Sequence, residues 1–285
     1  MPRGQWNRRR GNDRGLAEIV GTLMLVLIVV SAAVAFSFFV ASYQAQLQSE
    51  ETLTHNQELE SLKVLGVAPG KVTGGIYDTL NITLVSEYIN PSYVNEIQVN
   101  DQPLKAFNAT FLNLSTGHFQ TQSLVGGQYM DLSPQEDVTI EVTFVQTSLN
   151  YSFYVPFTLG TNQYVKIDAY TSLDNVFSRA FLPPTAIAVV TNTTSSTGSQ
   201  TTLLDGSQSF QPEGNATLVS WTWTVTANGG ISPLYTLTGE EAQTPYLLNN
   251  TTPTDNPYTV LLTVTNSDGL SGQTTVKYYA GAVPP

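Results

Sequence analysis

Between Ile19 and Ser49 this chain carries no charged side chain. Its inner part, Ile19 to Val40, reads IVGTLMLVLIVVSAAVAFSFFV, 22 residues that are apolar almost throughout. At about 1.5 Å per residue a helix of that length crosses the hydrocarbon core of a bilayer. A secretory leader has a shorter apolar region and closes on a small-residue cleavage site. This run is too long for that, and no A-x-A followed by a globular start ends it.

The flanks give the run a direction. Of six Arg, five lie in the first 14 residues: Arg3, Arg8, Arg9, Arg10 and Arg14. Glu50, Glu51, Glu58 and Glu60 follow on the other side. That asymmetry places the N-terminus in the cytoplasm and the remainder outside. Without residues 1–15 the chain has 6 Lys and Arg against 21 Asp and Glu, a net charge of −15. Such a surface repels nucleic acid, so the Arg cluster reads as topogenic and not as an RNA-binding arm. There is no Cys, which excludes disulfides and thiolate metal sites.

The apolar run passes without a break into Tyr43–Lys63, which has no Gly or Pro and many good helix formers. A helix from Leu16 to about Val64 would be roughly 70 Å long. Gly66 and Pro69-Gly70 are the expected stop.

The string Arg14-Gly15-Leu16-Ala17-Glu18-Ile19-Val20-Gly21-Thr22-Leu23 resembles the start of archaeal type IV pilins and archaellin-like proteins. In that family a basic leader ends in Gly, and a membrane prepilin peptidase cuts before the hydrophobic helix. The resemblance covers about residues 8–45. It implies cleavage between Gly15 and Leu16, with Leu16 as the mature N-terminus. Bacterial type IV pilins carry Glu at the fifth mature position, whereas Glu18 would be the third. Two roles stand open for Glu18. It is a helix-start charge favoured by the helix dipole, or it neutralises the new amino terminus of a neighbouring subunit. Gly21 and the small residues Ser31, Ala32, Ala33 and Ala35 would let helices approach closely, or are ordinary membrane-helix composition. Leu23 and Leu27 belong to the apolar surface that would hold an assembly together.

From Val72 onward the period changes to two. Leu80–Val85, Val138–Val145 and Tyr164–Tyr170 alternate apolar with polar, as half-buried strands do. Asn90-Pro91-Ser92, Asn100-Asp101-Gln102-Pro103 and Gly126-Gly127 separate them as turns. Residues 66–182 read as one antiparallel sandwich. Pro183-Pro184 marks a junction, after which residues 183–285 form a second domain expected to fold on its own.

Pro184–Tyr279 resembles a PKD domain, an immunoglobulin-like sandwich of cell-surface proteins. Leu204-Asp205-Gly206-Ser207-Gln208-Ser209 matches its early turn. Gln211-Pro212-Glu213-Gly214 stands where a D-P-D-G turn is usual. Ser220-Trp221-Thr222-Trp223 matches the strand with the core Trp. Tyr258–Gly269 matches the last strand and turn. Asn228-Gly229-Gly230 replaces the usual G-D-G. Read from periodicity alone, Tyr258, Val260, Leu262 and Val264 share a face, and Trp223 and Val225 share another.

The fold class is therefore α+β: a long N-terminal hydrophobic helix followed by two antiparallel β-sandwich domains, the second immunoglobulin/PKD-like. The expected division is leader 1–15, helix and stalk 16–65, sandwich 66–182, sandwich 183–285.

Chemistry is sparse. His55 and His118 have no metal-ligating partner at useful spacing. No G-x-S-x-G, H-E-x-x-H or phosphate loop occurs. Asp205, Glu213 and Asp268 stand in turns, where Asp caps its own backbone more often than it binds calcium. The expectation is no enzyme, no cofactor and no metal. Eight Asn-x-Ser/Thr sequons, at Asn81, Asn108, Asn113, Asn150, Asn192, Asn215, Asn249 and Asn250, are glycosylation candidates.

Two functions compete. One is a filament subunit that starts in the membrane, is cut by a prepilin peptidase, and polymerises with identical or related subunits through the assembly machinery. The other is a single-pass surface adhesion or binding protein that keeps its anchor.

Overall fold

In the computed structural model the chain divides into two units, one ending at Leu59 and one beginning at Glu60. The structure describes residues 10–113, 117–125, 128–134, 136–143, 158–194, 200–212, 214–248 and 256–280, except the side chains of 10–16, 106, 113, 118, 125 and 143. Of the sequence expectations, Arg3, Arg8, Arg9, Gly126-Gly127, Phe144-Val145, Asn150, Glu213, Asn249 and Asn250 lie outside the described residues.

The first unit is one helix. Helix α1 (Arg10–Leu59) has 50 residues, about 75 Å at 1.5 Å per residue. It is long and apolar enough to cross a membrane. Two hydroxyls within the apolar stretch bond back to the helix itself. Thr22 Oγ1 donates to Glu18 O at 2.7 Å and Ser37 Oγ to Ala33 O at 2.8 Å. A helix in hydrocarbon needs that, since lipid offers no hydrogen-bond partner.

The helix ends five residues earlier than expected, and Gly66 and Pro69-Gly70 do not stop it. Residues from Leu62 are a strand instead, with Leu62, Val64 and Val67 buried. Helix propensity favours continuation through Lys63, but burial of alternate side chains between two sheets outweighs it.

In the second unit, β1 (Leu62–Pro69), β2 (Val72–Thr73), β3 (Ile76–Tyr77), β4 (Thr79–Ser86), β5 (Ser92–Val99) and β6 (Gln102–Pro103) come first. They are followed by β7 (Ala106–Asn113), β8 (His118–Val125), β9 (Met130–Leu132), β10 (Asp137–Thr143), β11 (Val165–Thr171) and β12 (Val176–Phe181). One sheet has the order β1-β4-β10-β7-β8 and the other β12-β11-β5-β6, with β9 beside β5. All these pairings are antiparallel. The inward residues of both sheets close one core, including Leu80, Ile82, Leu84, Val138, Ile140, Ile97 and Ile167. Asn100 and Asp101, both at positive φ (50° and 61°), form the two-residue turn between β5 and β6, a connection whose twist suits a hairpin.

The second set is β13 (Val189–Thr194), β14 (Gln200–Asp205), β15 (Leu218–Thr226), β16 (Tyr235–Thr238), β17 (Glu241–Gln243), β18 (Tyr258–Asn266) and β19 (Ser271–Tyr278). They form the sheets β13-β14-β17 and β16-β15-β18-β19. Tyr258, Val260, Leu262 and Val264 of β18 alternate into a core with Trp223, Val225 and Leu204. Gly206 leaves room for that tryptophan: a Cβ there would stand 3.2 Å from Trp223 Cζ2 and 3.2 Å from Glu240 O.

The two sheet pairs belong to one compact unit. Among the described residues no strand pairs across the Leu182–Ala188 segment, yet the turn between β18 and β19 reaches over. Leu270 is buried in the first core. Tyr77 OH accepts from Ser271 N at 2.6 Å. Asn162 brackets β19, its N donating to Ser271 O at 3.0 Å, its Oδ1 accepting from Gln273 N at 2.6 Å and its Nδ2 donating to Gln273 O at 3.1 Å. Asn266 Nδ2 donates to Leu182 O at 2.9 Å.

Candidate assembly helix and surface sites

The residues picked for assembly all lie on α1. Gly15 and Leu16 fall inside its continuous backbone. Glu18 is exposed on its third described turn, and its carbonyl holds the Thr22 hydroxyl. Leu23 and Leu27 are each 63% exposed, and a Cβ at Gly21 would meet nothing within 4 Å. Every large apolar side chain from Ile19 to Phe39 is likewise open. The apolarity runs right around the helix, so no single seam faces a partner and one face does not differ from another. Phe39 and Tyr43 stack, with ring centroids 6.5 Å apart. His55 is exposed near the end of the same helix.

The described sequons are spread over the β unit. Asn81 lies in β4 and Asn108 in β7, both half-buried, with Asn108 Oδ1 accepting from Ser123 Oγ at 2.9 Å. Asn113 closes β7. Asn192 lies in β13, its Oδ1 taking Thr202 Oγ1 at 3.2 Å and Tyr278 OH at 2.6 Å. Asn215 is exposed in the connection before β15.

Asp205 caps its own turn. Its Oδ1 accepts from Ser207 N at 2.9 Å, and that backbone hydrogen bond holds the carboxyl below its ordinary value. Asp268 sits in the β18–β19 turn, its N donating to Asn266 Oδ1 at 3.1 Å. Among the described residues no three His, Asp or Glu side chains gather as a metal site.

Three charged groups escaped the sequence reading. Arg179, the one Arg beyond residue 14, donates through Nη1 to Val64 O (2.8 Å) and Leu65 O (2.6 Å) and lies 4.7 Å over the Phe181 ring. It bridges β12 to β1 where the β1–β4 register shifts between Val64 and Gly66. A groove of about 390 Å³ runs along these two edge strands. Asp168 is buried, bonded by Ser178 Oγ and by Lys166 Nζ at 2.8 Å. Burial pushes its carboxyl up, but the Lys166 and Ser178 hydrogen bonds outweigh that and hold it below the ordinary value. Glu60 is 6% exposed, although it reads in sequence as one more acid on a polar stalk. The available signal was its spacing: Glu60, Leu62 and Val64 already alternate.

No family model matches the chain. No curated protein matches it. Solved structures similar to it include a calcium-binding mutant of Bacteroides uniformis β-glucuronidase 2, at 11% identity and TM-score 0.27, covering 78% of this chain and 33% of that one. Red sea bream transglutaminase is similar at 9% identity and TM-score 0.26, covering 78% and 31%. A Ruminococcus gnavus β-glucuronidase is similar at 12% and 0.26, covering 73% and 37%. The chain spans about a third of the length of these structures. They correct the expectation that the chain is not an enzyme: the solved structures it is matched to are themselves enzymes, so that expectation is not carried further. At these TM-scores the likeness assigns the chain no reaction. What stands is one long apolar helix near the N-terminus, a candidate membrane anchor or signal sequence, followed by antiparallel β-sheets.

Proposed function

We propose that this chain is a subunit of an extracellular type IV pilus-like filament, made as a membrane-inserted precursor and polymerised through α1. The observation that carries this reading is the charge-free run Ile19–Val40 inside an unbroken 50-residue helix, preceded at once by an Arg-rich segment ending in Gly15. Its partners would be identical or related subunits, a prepilin peptidase and an assembly machinery. Residues 66–182 and 183–285 would be two β-sandwich domains divided at Pro183-Pro184, the second immunoglobulin/PKD-like, and the sequons would carry surface glycans. Trp223 at the centre of the second core and the alternating burial of Tyr258–Asn266 support the PKD-like assignment.

The second reading is an anchored surface protein that never polymerises. A tandem β ectodomain on a single helix favours it, since such modules serve contact and spacing. The mature N-terminus separates the two. N-terminal mass spectrometry of protein sheared from cells should find Leu16 first. An uncut residue 1–15 segment on exported protein would overturn the filament reading.

A further inference from the structure

One end of the first sheet pair buries polar atoms that have no partner in the protein. Glu60 Oε2 accepts from Thr171 Oγ1 at 2.6 Å and from Asn175 Nδ2 at 3.0 Å, while Oε1 is buried without any hydrogen bond. Ser86 Oγ and Ser92 Oγ are buried and unpartnered too, on residues 0% and 1% exposed. The strand register brings these groups together. Leu62 pairs with Ser86, and Glu87 N donates to Ser61 O, so the buried Glu60, two residues before Leu62, enters the sheet beside the Ser86 end of β4. Thr171 pairs with Val94 in the opposite sheet, so Ser92, two residues before Val94, is the diagonal neighbour of Thr171. The hydrogen bond from Thr171 to Glu60 spans the two sheets and joins both pairs of neighbours.

The charge of this cluster is unbalanced. None of the three ion pairs among the described residues includes Glu60. Lys63 turns to Glu87, and Arg179 to the Val64 and Leu65 carbonyls. A buried carboxylate is costly unless a counter-charge or a metal meets it, and a buried hydroxyl without a partner adds to the penalty. The donors on hand are all hard oxygens, which select hard cations over soft ones. One carboxylate among neutral hydroxyls balances one positive charge. A divalent ion would leave a buried excess.

We propose that Glu60 Oε1, Ser86 Oγ, Ser92 Oγ and Thr171 Oγ1 hold a small hard monovalent cation of the sodium type at this end of the β unit. All four donors belong to the unit that begins at Glu60. An ion bound only by the folded state raises stability with its concentration. The full chain in detergent should therefore melt several degrees higher in NaCl than in tetramethylammonium chloride at equal ionic strength, followed by far-UV circular dichroism. Ser86→Ala with Ser92→Ala removes two hydroxyls that have no protein partner, so the fold should persist while the sodium-specific shift disappears. Glu60→Gln should abolish the shift as well. Equal melting in the two salts would overturn the proposal and leave a pocket for water. A shift given by CaCl2 alone, or one that survives in the serine double variant, would overturn it equally.

Discussion

The indole of Trp223 lies fully inside the second core, and its Nε1 donates to Gly239 O at 2.9 Å. Truncation to Ala removes the largest side chain of that core and leaves a cavity that the flanking sheets fill only in part. Trp223→Ala should cost about 3–5 kcal/mol, as core aromatic truncations do, read from urea unfolding. Trp221, two residues earlier, is the internal control. Its Nε1 is buried without an acceptor, so Trp221→Phe removes an unsatisfied donor and should change stability far less. A loss below about 1 kcal/mol for Trp223→Ala would place that residue outside the core. Trp223 was legible in sequence because its strand alternates and so does its partner β18. Glu60 was not. A carboxylate among polar neighbours reads as solvated, and its alternation with Leu62 and Val64 gains meaning only once the pairing of β1 turns that face inward. Asp168 was hidden for the same reason, since its strand alternates Lys166-Ile167-Asp168-Ala169 and yet Ile167, Asp168 and Ala169 are all buried.

At the scale of elements, α1 poses the sharper energetic problem. Ile19, Val20, Leu23, Leu25, Val26, Leu27 and Ile28 are between 47% and 66% exposed. Each gains about 1.5–3 kcal/mol when removed from water, so these seven alone supply on the order of 10–20 kcal/mol. In the proposed filament, lipid would take up that surface before assembly and identical helices afterwards. A charge facing such a bundle is costly unless paired. Leu27→Asp should abolish filaments while the β unit stays folded, as judged by electron microscopy of sheared fractions beside circular dichroism. Glu18→Gln should be milder, and should lower assembly only if Glu18 meets a neighbour's amino terminus. Normal filaments from Leu27→Asp would remove the helical-core mechanism and leave the anchored protein as the better account. The existence of this helix was fully readable from the missing charges. Its C-terminal end was not, because Leu62–Leu65, ahead of Gly66, has the composition of either element. The choice was made by β4, whose Ser86 to Leu80 pair with Leu62 to Pro69.

For the molecule as a whole, the question is how the two sheet pairs of the β unit depend on each other. Pro183-Pro184 announces a division in sequence, and no described strand before it pairs with one after it, although Glu60–Pro285 is one compact unit. No sequence pattern announces that Leu270, in a turn of the second pair, is 0% exposed within the first core. The contact is made by a residue that follows Ser267-Asp268-Gly269, a turn string that reads as surface. The approach around it is close. A Cβ on Gly269 would stand 3.0 Å from Pro69 Cδ, and one on Gly272 would collide with Pro184 O. A fragment of residues 184–285 keeps its own core but exposes Leu270 and loses the Tyr77 and Asn162 partners of β19. It should still unfold cooperatively, at a lower midpoint than the same strands in the intact chain. Leu270→Ala in the intact chain should cost about 2–5 kcal/mol, and the loss should fall on the first pair, where the side chain is buried, and not on the second pair, where its backbone lies. Hydrogen exchange can separate the two: protection should drop in β4 and β10 and persist in β15 and β18. If β15 and β18 lost protection first, Leu270 would be supporting its own hairpin, and the two pairs would be neighbours without shared stability.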